Sequence, residues 1–264
     1  MESSTDLKTR DIRIHGLEGL PLVQPGDDLA GMLVRAIQNT GLAAGTGDVL
    51  LVTQKIVSKA EGRLVRLSEV TPSERAVELA QRVGKDPRKV EVILRESRRV
   101  LKAERPASTG IGVLICETRH GLVCANAGVD ESNLSDPDTV LCLPADPDAS
   151  AERIRSAVRA ALGVDLAVII TDSFGRPWRM GLVNVAIGIA GGPALVDLRG
   201  SADYSGHPLS VTRIAVADEL AAIAGLVMGK LELIPAALVR GWRFDGAPGR
   251  AADLIRPAAE DLFR

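Results

Sequence analysis

Large rings are almost missing from this chain. Two Trp, one Tyr and three Phe serve 264 residues, so aromatics make up 2% of the sequence. The hydrophobic share is nonetheless 46%, and it must come from Val, Leu, Ile and Ala, which reach interior density without rings. Strong net charge is missing too: the formal value of −2 excludes a nucleic-acid binder that works through bulk electrostatics, although local basic patches stay open. No apolar run is long enough for a membrane. The stretch Val164–Ile170 falls far short of the roughly 20 residues a spanning helix needs. The start, Met1 to Arg13, is polar and charged with no export signal, so the expectation is a soluble, cytoplasmic protein. Cysteine is scarce. Cys116, Cys124 and Cys142 make an odd number at no metal-ligand spacing, and the apolar neighbours of Cys116 and Cys142 suit reduced, buried thiols.

Familiar chemical signatures are also absent. Gly225 to Leu231 is one residue short of a phosphate-binding G-x-x-x-x-G-K-[ST] loop and lacks its hydroxyl. There is no G-x-G-x-x-G, H-E-x-x-H or C-x-x-C. His15, His120 and His207 are scattered near turns and read as surface or structural residues.

What is present is a mixture of periods. Residues 11–15 alternate as a short strand, and Leu29, Leu33, Ala36 and Ile37 give 28–39 one helical face. Gly45 to Asp48 turns into a buried strand at 49–53. Thr71-Pro72-Ser73-Glu74 opens a helix that Gly84 closes, and a second follows Pro87. A hairpin is expected from 111–116 and 122–125, then a turn-rich stretch over 126–148. A helix at 149–162 leads through Gly163 to a strand at 164–171, a polar loop at 172–181 and a strand at 182–189. The pattern closes with a helix over about 210–228, a strand at 234–239 and a terminal helix. This is an α+β or mixed α/β protein; periodicity leaves the topology open.

Three segments carry candidate chemistry, each just after a strand, where ligand sites of such proteins gather. In Thr171 to Gly181, Asp172 offers a hard oxygen ligand and Ser173 a hydroxyl, while Arg176 and Arg179 can clamp phosphate or carboxylate. The plain alternative is a turn with an Asp–Arg ion pair. In Asn126 to Asn133, Asp130, Glu131 and Asn133 offer oxygens behind the permissive Gly128, although Asx residues also fill ordinary turns. Thr53 to Arg63 brings Lys55, Lys59 and Arg63 to a strand end, as a phosphate contact or as a solvated basic turn. Two acidic segments with basic neighbours suit a metal–phosphate site better than either alone.

Taken together, S-K-A-E-G-R within Thr53–Arg63, N-A-G-V-D-E-S-N at Asn126–Asn133 and I-T-D-S-F-G-R-P-W-R-M-G at Ile170–Gly181 resemble the coenzyme F-420-0:L-glutamate ligase family. Glu18-Gly19-Leu20-Pro21, Ala186-Ile187-Gly188 and Val239-Arg240-Gly241 extend the resemblance over nearly the whole chain, in order. The resemblance implies a GTP-dependent ligase: GTP phosphorylates the lactyl carboxylate of F-420-0, and the amine of L-glutamate displaces phosphate, with further γ-linked glutamates a possible extension. It implies Asp130 and Asp172 as ligands of a catalytic Mg²⁺ or Mn²⁺, with Arg176 and Arg179 in the catalytic set and Ser173 at a second metal, where relatives usually carry Thr. Glu18, Gly19, Leu20, Pro21, Gln54, Lys55, Lys59 and Asn133 match GTP contacts; Lys55 stands where a small hydroxyl residue is expected. Met228 to Pro235 maps to another GTP and metal segment, through Met228, Gly229, Lys230 and Glu232, the last as the available carboxylate. A monovalent cation such as potassium is a further candidate cofactor.

The fold implied is a two-part, mixed-sheet α+β ligase forming an intertwined homodimer, with residues 1–85 and 165–264 as one part and about 86–164 inserted. The expected partners are F-420-0, L-glutamate, GTP and a second copy, with no nucleic acid and no membrane. The ending Ile255 to Arg264 resembles the junction that precedes a nitroreductase-like domain in some actinobacterial members. The competing readings are a related acid–amine ligase with another acyl substrate, and a non-catalytic nucleotide-binding partner of a nitroreductase-like oxidoreductase.

Overall fold

The computed structural model describes residues 11–244 and 246–261. Most of the polar start, together with the last three residues of the junction-like ending, lies outside them. In chain order the strands and helices are β1 (Arg13–Gly16), α1 (Leu29–Asn39), β2 (Val49–Thr53), α2 (Gln54–Ala60), β3 (Leu64–Arg66), α3 (Glu74–Val83), α4 (Pro87–Arg95), β4 (Ser97–Glu104), β5 (Val113–Thr118), β6 (Val123–Ala125), β7 (Thr139–Leu141), α5 (Pro147–Leu162), β8 (Ala167–Arg176), β9 (Arg179–Ala190), β10 (Val196–Asp197), β11 (Arg213–Ile214), α6 (Val216–Met228) and β12 (Ala236–Arg240).

The central sheet has the order β1-β12-β2-β8-β9. Only β2 and β8 run parallel; the other neighbours are antiparallel, so the sheet is mixed. Strand β2 is apolar at four successive positions because both its faces are covered. Leu50 and Val52 join a core with α1 and α5, whereas Val49 and Leu51 join a second core with α6. A third core lies apart from these and draws on residues 67–142, including Val83, Ile93, Leu114 and Cys142.

Helix ends follow local chemistry. Asp28, Ser73, Asp86 and Asp146 each accept a backbone N–H at a helix start, and Pro87 and Pro147 occupy first turns. Gly84 and Gly163 end their helices in the left-handed region. All three thiols are buried and free, and no described helix is long and apolar enough to cross a membrane.

Several expectations are corrected. The segment 172–181 is not a loop but the outer half of a β8–β9 ribbon, paired from Asp172↔Val185 to Arg176↔Arg179. It reads as a loop because it runs past the end of β2 and loses burial towards its tip, Phe174 alone of its first residues leaning on the α1–α5 core. The basic segment after β2 is helix α2, anchored by buried Ile56 and Val57. Strand β4 has no apolar alternation, since most of its side chains are exposed. Helix α6 starts at Val216, not near 210, because Arg213 and Ile214 pair with Asp197 and Val196. The terminal helix is replaced by two short 3-10 turns, Ala251–Leu254 and Ala258–Glu260. His15 lies inside β1 rather than at a turn.

Candidate active site at the strand ends

The last parallel pair of the sheet is Thr53↔Thr171, and chemistry begins one residue beyond it. After Thr53 the chain coils into α2, placing Lys55 and Lys59 one turn apart on the same side. After Thr171 it continues as ribbon, starting with Asp172. The backbone N–H groups of Thr53 and Leu17 donate to Pro235 and Ala236 at 2.9 and 2.8 Å. The segments holding Glu18 and residues 229–235 therefore meet the same end of the sheet.

Asp130 reaches this end by an unusual turn. Asn126, Ala127 and Gly128 follow one another with φ of 53, 52 and 74°. Ala127 carries a steric cost there of roughly 1 kcal/mol. Gly128 is required twice, since an added Cβ would also stand 2.7 Å from the Leu143 side chain. Asp130 is then bridged to Leu141 by N–H···O bonds of 3.0 and 2.8 Å.

The Lys55 ammonium lies 2.7 Å from Asp130 Oδ2 and also donates to the Ser132 hydroxyl. Ser132 in turn donates to the Asp130 carboxylate from its backbone N–H, at 2.8 Å, and its hydroxyl, at 2.9 Å. Burial works to raise the Asp130 carboxyl, but Lys55 and Ser132 outweigh it and hold the group below its ordinary value. Lys59 donates to the Asn133 carbonyl at 2.9 Å. Burial, then the charge of Lys55, lowers the Lys59 ammonium. Asn133 itself sits at φ 60°.

Asp172 differs. Among the described residues no cationic side chain forms an ion pair with it; its Oδ1 accepts the Ser173 N–H at 2.8 Å. Burial pushes this carboxyl up to about 6, Ser173 opposes the shift, and the Asp130 charge adds to it. Its charge in turn bears on the buried Cys124 thiol, which burial above all pushes up to about 12. Beside it, Ser173 donates to Asn184 Oδ1 at 2.8 Å and accepts from Lys230 at 2.9 Å.

The structure thus brings Lys55, Lys59, Asp130, Asn133, Asp172, Ser173 and Lys230 to one end of the sheet. Other candidates stand differently. Gln54 is buried and accepts from Ser58 at 2.9 Å. Met228 has its side chain in the α6 core. Glu232 is exposed and accepts the Leu231 N–H at 2.9 Å; the backbone N–H groups of its own loop hold its carboxyl low. Gly229 packs against that carboxylate. Glu18, Gly19 and Pro21 are exposed, and Leu20 leans on the α1 core. Arg176 and Arg179 lie at the exposed ribbon tip, four or more residues from Asp172, roughly 13 Å along a strand. Asn184 and Ser132 were not singled out from sequence. Alternation on the ribbon would have placed Asn184 opposite Ser173, had 172–181 been read as strand.

Among the described residues no three His, Cys, Asp or Glu side chains gather as a metal nest. Two carboxylates, one without a cation, still suit Mg²⁺, which commonly takes one or two carboxylates and completes its shell from water and phosphate. With Lys55 and Lys230 beside them and Lys59 one turn from Lys55, the class defined is an α+β protein able to bind a divalent cation and anionic groups.

The comparisons narrow that class. The profile of the family described as F420-0:Gamma-glutamyl ligase matches residues 19–241, and the chain belongs to that family. The protein called Coenzyme F420:L-glutamate ligase in Methanothermobacter thermautotrophicus is 46% identical over 256 residues, covering 96% of this chain and 99% of that protein. Its namesake in Methanopyrus kandleri is 47% identical over 257 residues, covering 94% and 97%. That of Methanocaldococcus jannaschii is 41% identical over 256 residues, covering 97% and 98%.

Proposed function

We propose that this chain joins L-glutamate to the lactyl carboxylate of coenzyme F-420-0 at the expense of GTP. The observation that carries the reading is the strand-end cluster of Asp130, Asp172, Lys55 and Lys59, in a chain similar over nearly its full length to proteins named for that ligation. A carboxylate is a poor acyl donor, so one of its oxygens attacks the γ-phosphorus of GTP and GDP leaves. The glutamate amine then attacks the acyl carbon, loses a proton, and phosphate departs. No protein nucleophile is needed; the protein contributes position and charge.

Asp130 and Asp172 would hold Mg²⁺ or Mn²⁺, with Ser173 as a hydroxyl ligand to a second ion, and such a cation would neutralise the transferring phosphoryl group. Lys59 and Lys230 offer ammonium groups to the nucleotide phosphates. Glu18 to Pro21, Gln54 and Asn133 complete the nucleotide's surroundings in this reading. Glu232 is kept as a metal ligand that would have to leave its own loop, and potassium as a further candidate ion. Arg176 and Arg179 act on the anionic substrate from the ribbon.

The same reading makes the protein a cytoplasmic homodimer. Its support is the ribbon, where Trp178, Met180 and Leu182 are 80, 96 and 63% exposed, on a two-stranded element that is marginal by itself. It also treats the chain as one ligase unit in two intertwined parts, about 86–164 being the insert. The third core draws Leu67, Ala76 and Val83 from outside that insert.

The deciding experiment incubates the protein with F-420-0, GTP, L-glutamate and Mg²⁺ or Mn²⁺ and follows the deazaflavin by mass. A gain of one glutamyl unit, dependent on GTP, is expected; no gain under any of these conditions overturns the reading.

A further inference from the structure

Lys55 already has the surroundings of a small bound cation. Its ammonium meets three oxygens: Asp130 Oδ2 at 2.7 Å, the Ser132 hydroxyl, and the Ser132 carbonyl at 3.4 Å. Asp130 Oδ2 is an atom that a divalent ion shared between Asp130 and Asp172 would take. The charges point the same way. Asp130 pairs with Lys55, and Asp172 feels the charges of Lys55 and Lys230, while Lys59 stands one helical turn from Lys55. A divalent cation arriving by itself would have to displace Lys55 from Asp130 and then lie beside its charge and that of Lys230, an unfavourable arrangement. A polyphosphate arriving with it brings compensating negative charge and gives Lys55 another anion to meet.

The ion pair is not needed to shape the turn. The Asp130 backbone is held in both directions by Leu141, and its carboxylate by the Ser132 N–H at 2.8 Å. Lys55 is the movable member, a point charge on a four-carbon stem.

We propose that Lys55 is a resident counter-cation: it keeps the divalent ion off Asp130 in the nucleotide-free protein and moves to the phosphates when a nucleoside triphosphate enters. Metal and nucleotide then bind with positive coupling, each raising the affinity for the other by the same factor. The inference rests on the nucleotide-and-cation reading given above, which concerns what the site binds; this concerns the order in which it can be bound.

The test needs no turnover. Mn²⁺ is titrated into metal-free, nucleotide-free protein and free ion is read by electron paramagnetic resonance, for wild type, Lys55→Met and Lys55→Arg. Lys55→Met is expected to bind Mn²⁺ about tenfold more tightly than wild type, while Lys55→Arg, which keeps the charge, stays as weak as wild type. Equal or weaker binding by Lys55→Met overturns the proposal, since a strut that merely orders the Asp130 turn predicts that outcome. The second arm measures binding of a non-hydrolysable GTP analogue in EDTA. Lys55→Met is expected to lose severalfold in affinity, and an unchanged affinity overturns the transfer to phosphate. Thermal unfolding in EDTA confirms that each variant is folded. Should Lys55→Met fail to fold, Lys55→Gln takes its place with the same expectations. Failure of every protein, wild type included, to bind the analogue both in EDTA and with saturating Mn²⁺ would defeat the nucleotide reading itself, and the Mn²⁺ comparison would still judge Lys55.

Discussion

Thr53 and Thr171 lie side by side as the last parallel pair of the central sheet, and their chains part immediately afterwards. One coils into the helix that carries Lys55 and Lys59; the other stays extended and presents Asp172. The site therefore occupies a fork, with cations on one prong and a carboxylate on the other.

Asp172 is held against its own stability. Its folded pKa of about 6 lies above the ordinary value of 3.8. The folded protein therefore retains this proton to higher pH than the unfolded chain, and stability falls as pH rises between about 4 and 6. Allowing for the group's partial exposure, the loss is about 1–3 kcal/mol above that window. Asp172→Asn should thus abolish turnover, by at least about 100-fold, yet unfold at higher denaturant than wild type in EDTA at pH 7.5, with the advantage fading at pH 4. A variant less stable than wild type at pH 7.5 would refute this account of the carboxylate.

Lys59 has a neutral carbonyl as its partner and only a modest structural task. Lys59→Ala should raise the KM for GTP about tenfold while moving the melting temperature by no more than a degree or two. The opposite ranking, a large thermal shift with an unchanged KM, would make Lys59 a structural residue.

Gly188 is where α5 touches the sheet. An added Cβ would stand 2.5 Å from the Pro147 backbone, which cannot yield without moving the helix start. Gly188→Ala should cost about 1–3 kcal/mol in denaturant unfolding. A neutral result would show that α5 can shift freely on β9.

Met180 tests the homodimer. Its side chain is 96% exposed at the ribbon, so Met180→Glu cannot disturb a core of its own subunit. Light scattering should find wild type as a dimer and the variant shifted to monomer, with activity lost in proportion. A wild-type monomer, or a variant that dimerises as well as wild type, would remove the ribbon from the interface.

Much of this fold could be read from the chain because its signals are local. Caps such as Ser73, Asp86 with Pro87, and the stops at Gly84 and Gly163 act within one turn. The buried strand β2 announces itself by four successive apolar residues. Strand β4 does not, since its register comes from pairing with β5, and Ser97, Arg98 and Arg99 look like any solvated segment. The ribbon was hidden for the same reason: Asp172 to Gly175 mixes polar residues with Phe174 and shows no clear alternation, and only pairing with Leu182 to Val185 makes it a strand. At the site, Asp130 and Asp172 were legible as acidic positions after strands. The Lys55–Asp130 ion pair joins residues on separate elements, and the Ser173–Asn184 contact depends on register across a hairpin.

The bridge between Asp130 and Leu141 reaches further than the turn it closes. Leu141 pairs with Leu64 on β3, and β3 follows the helix that carries Lys55. Lys55 and Asp130 are thus mounted on one closed frame of main chain, and breaking their ion pair need not open it. The carboxylate behaves as a fixed post and the lysine as a latch beside it, so charge can be rearranged during a catalytic cycle without the scaffold having to breathe.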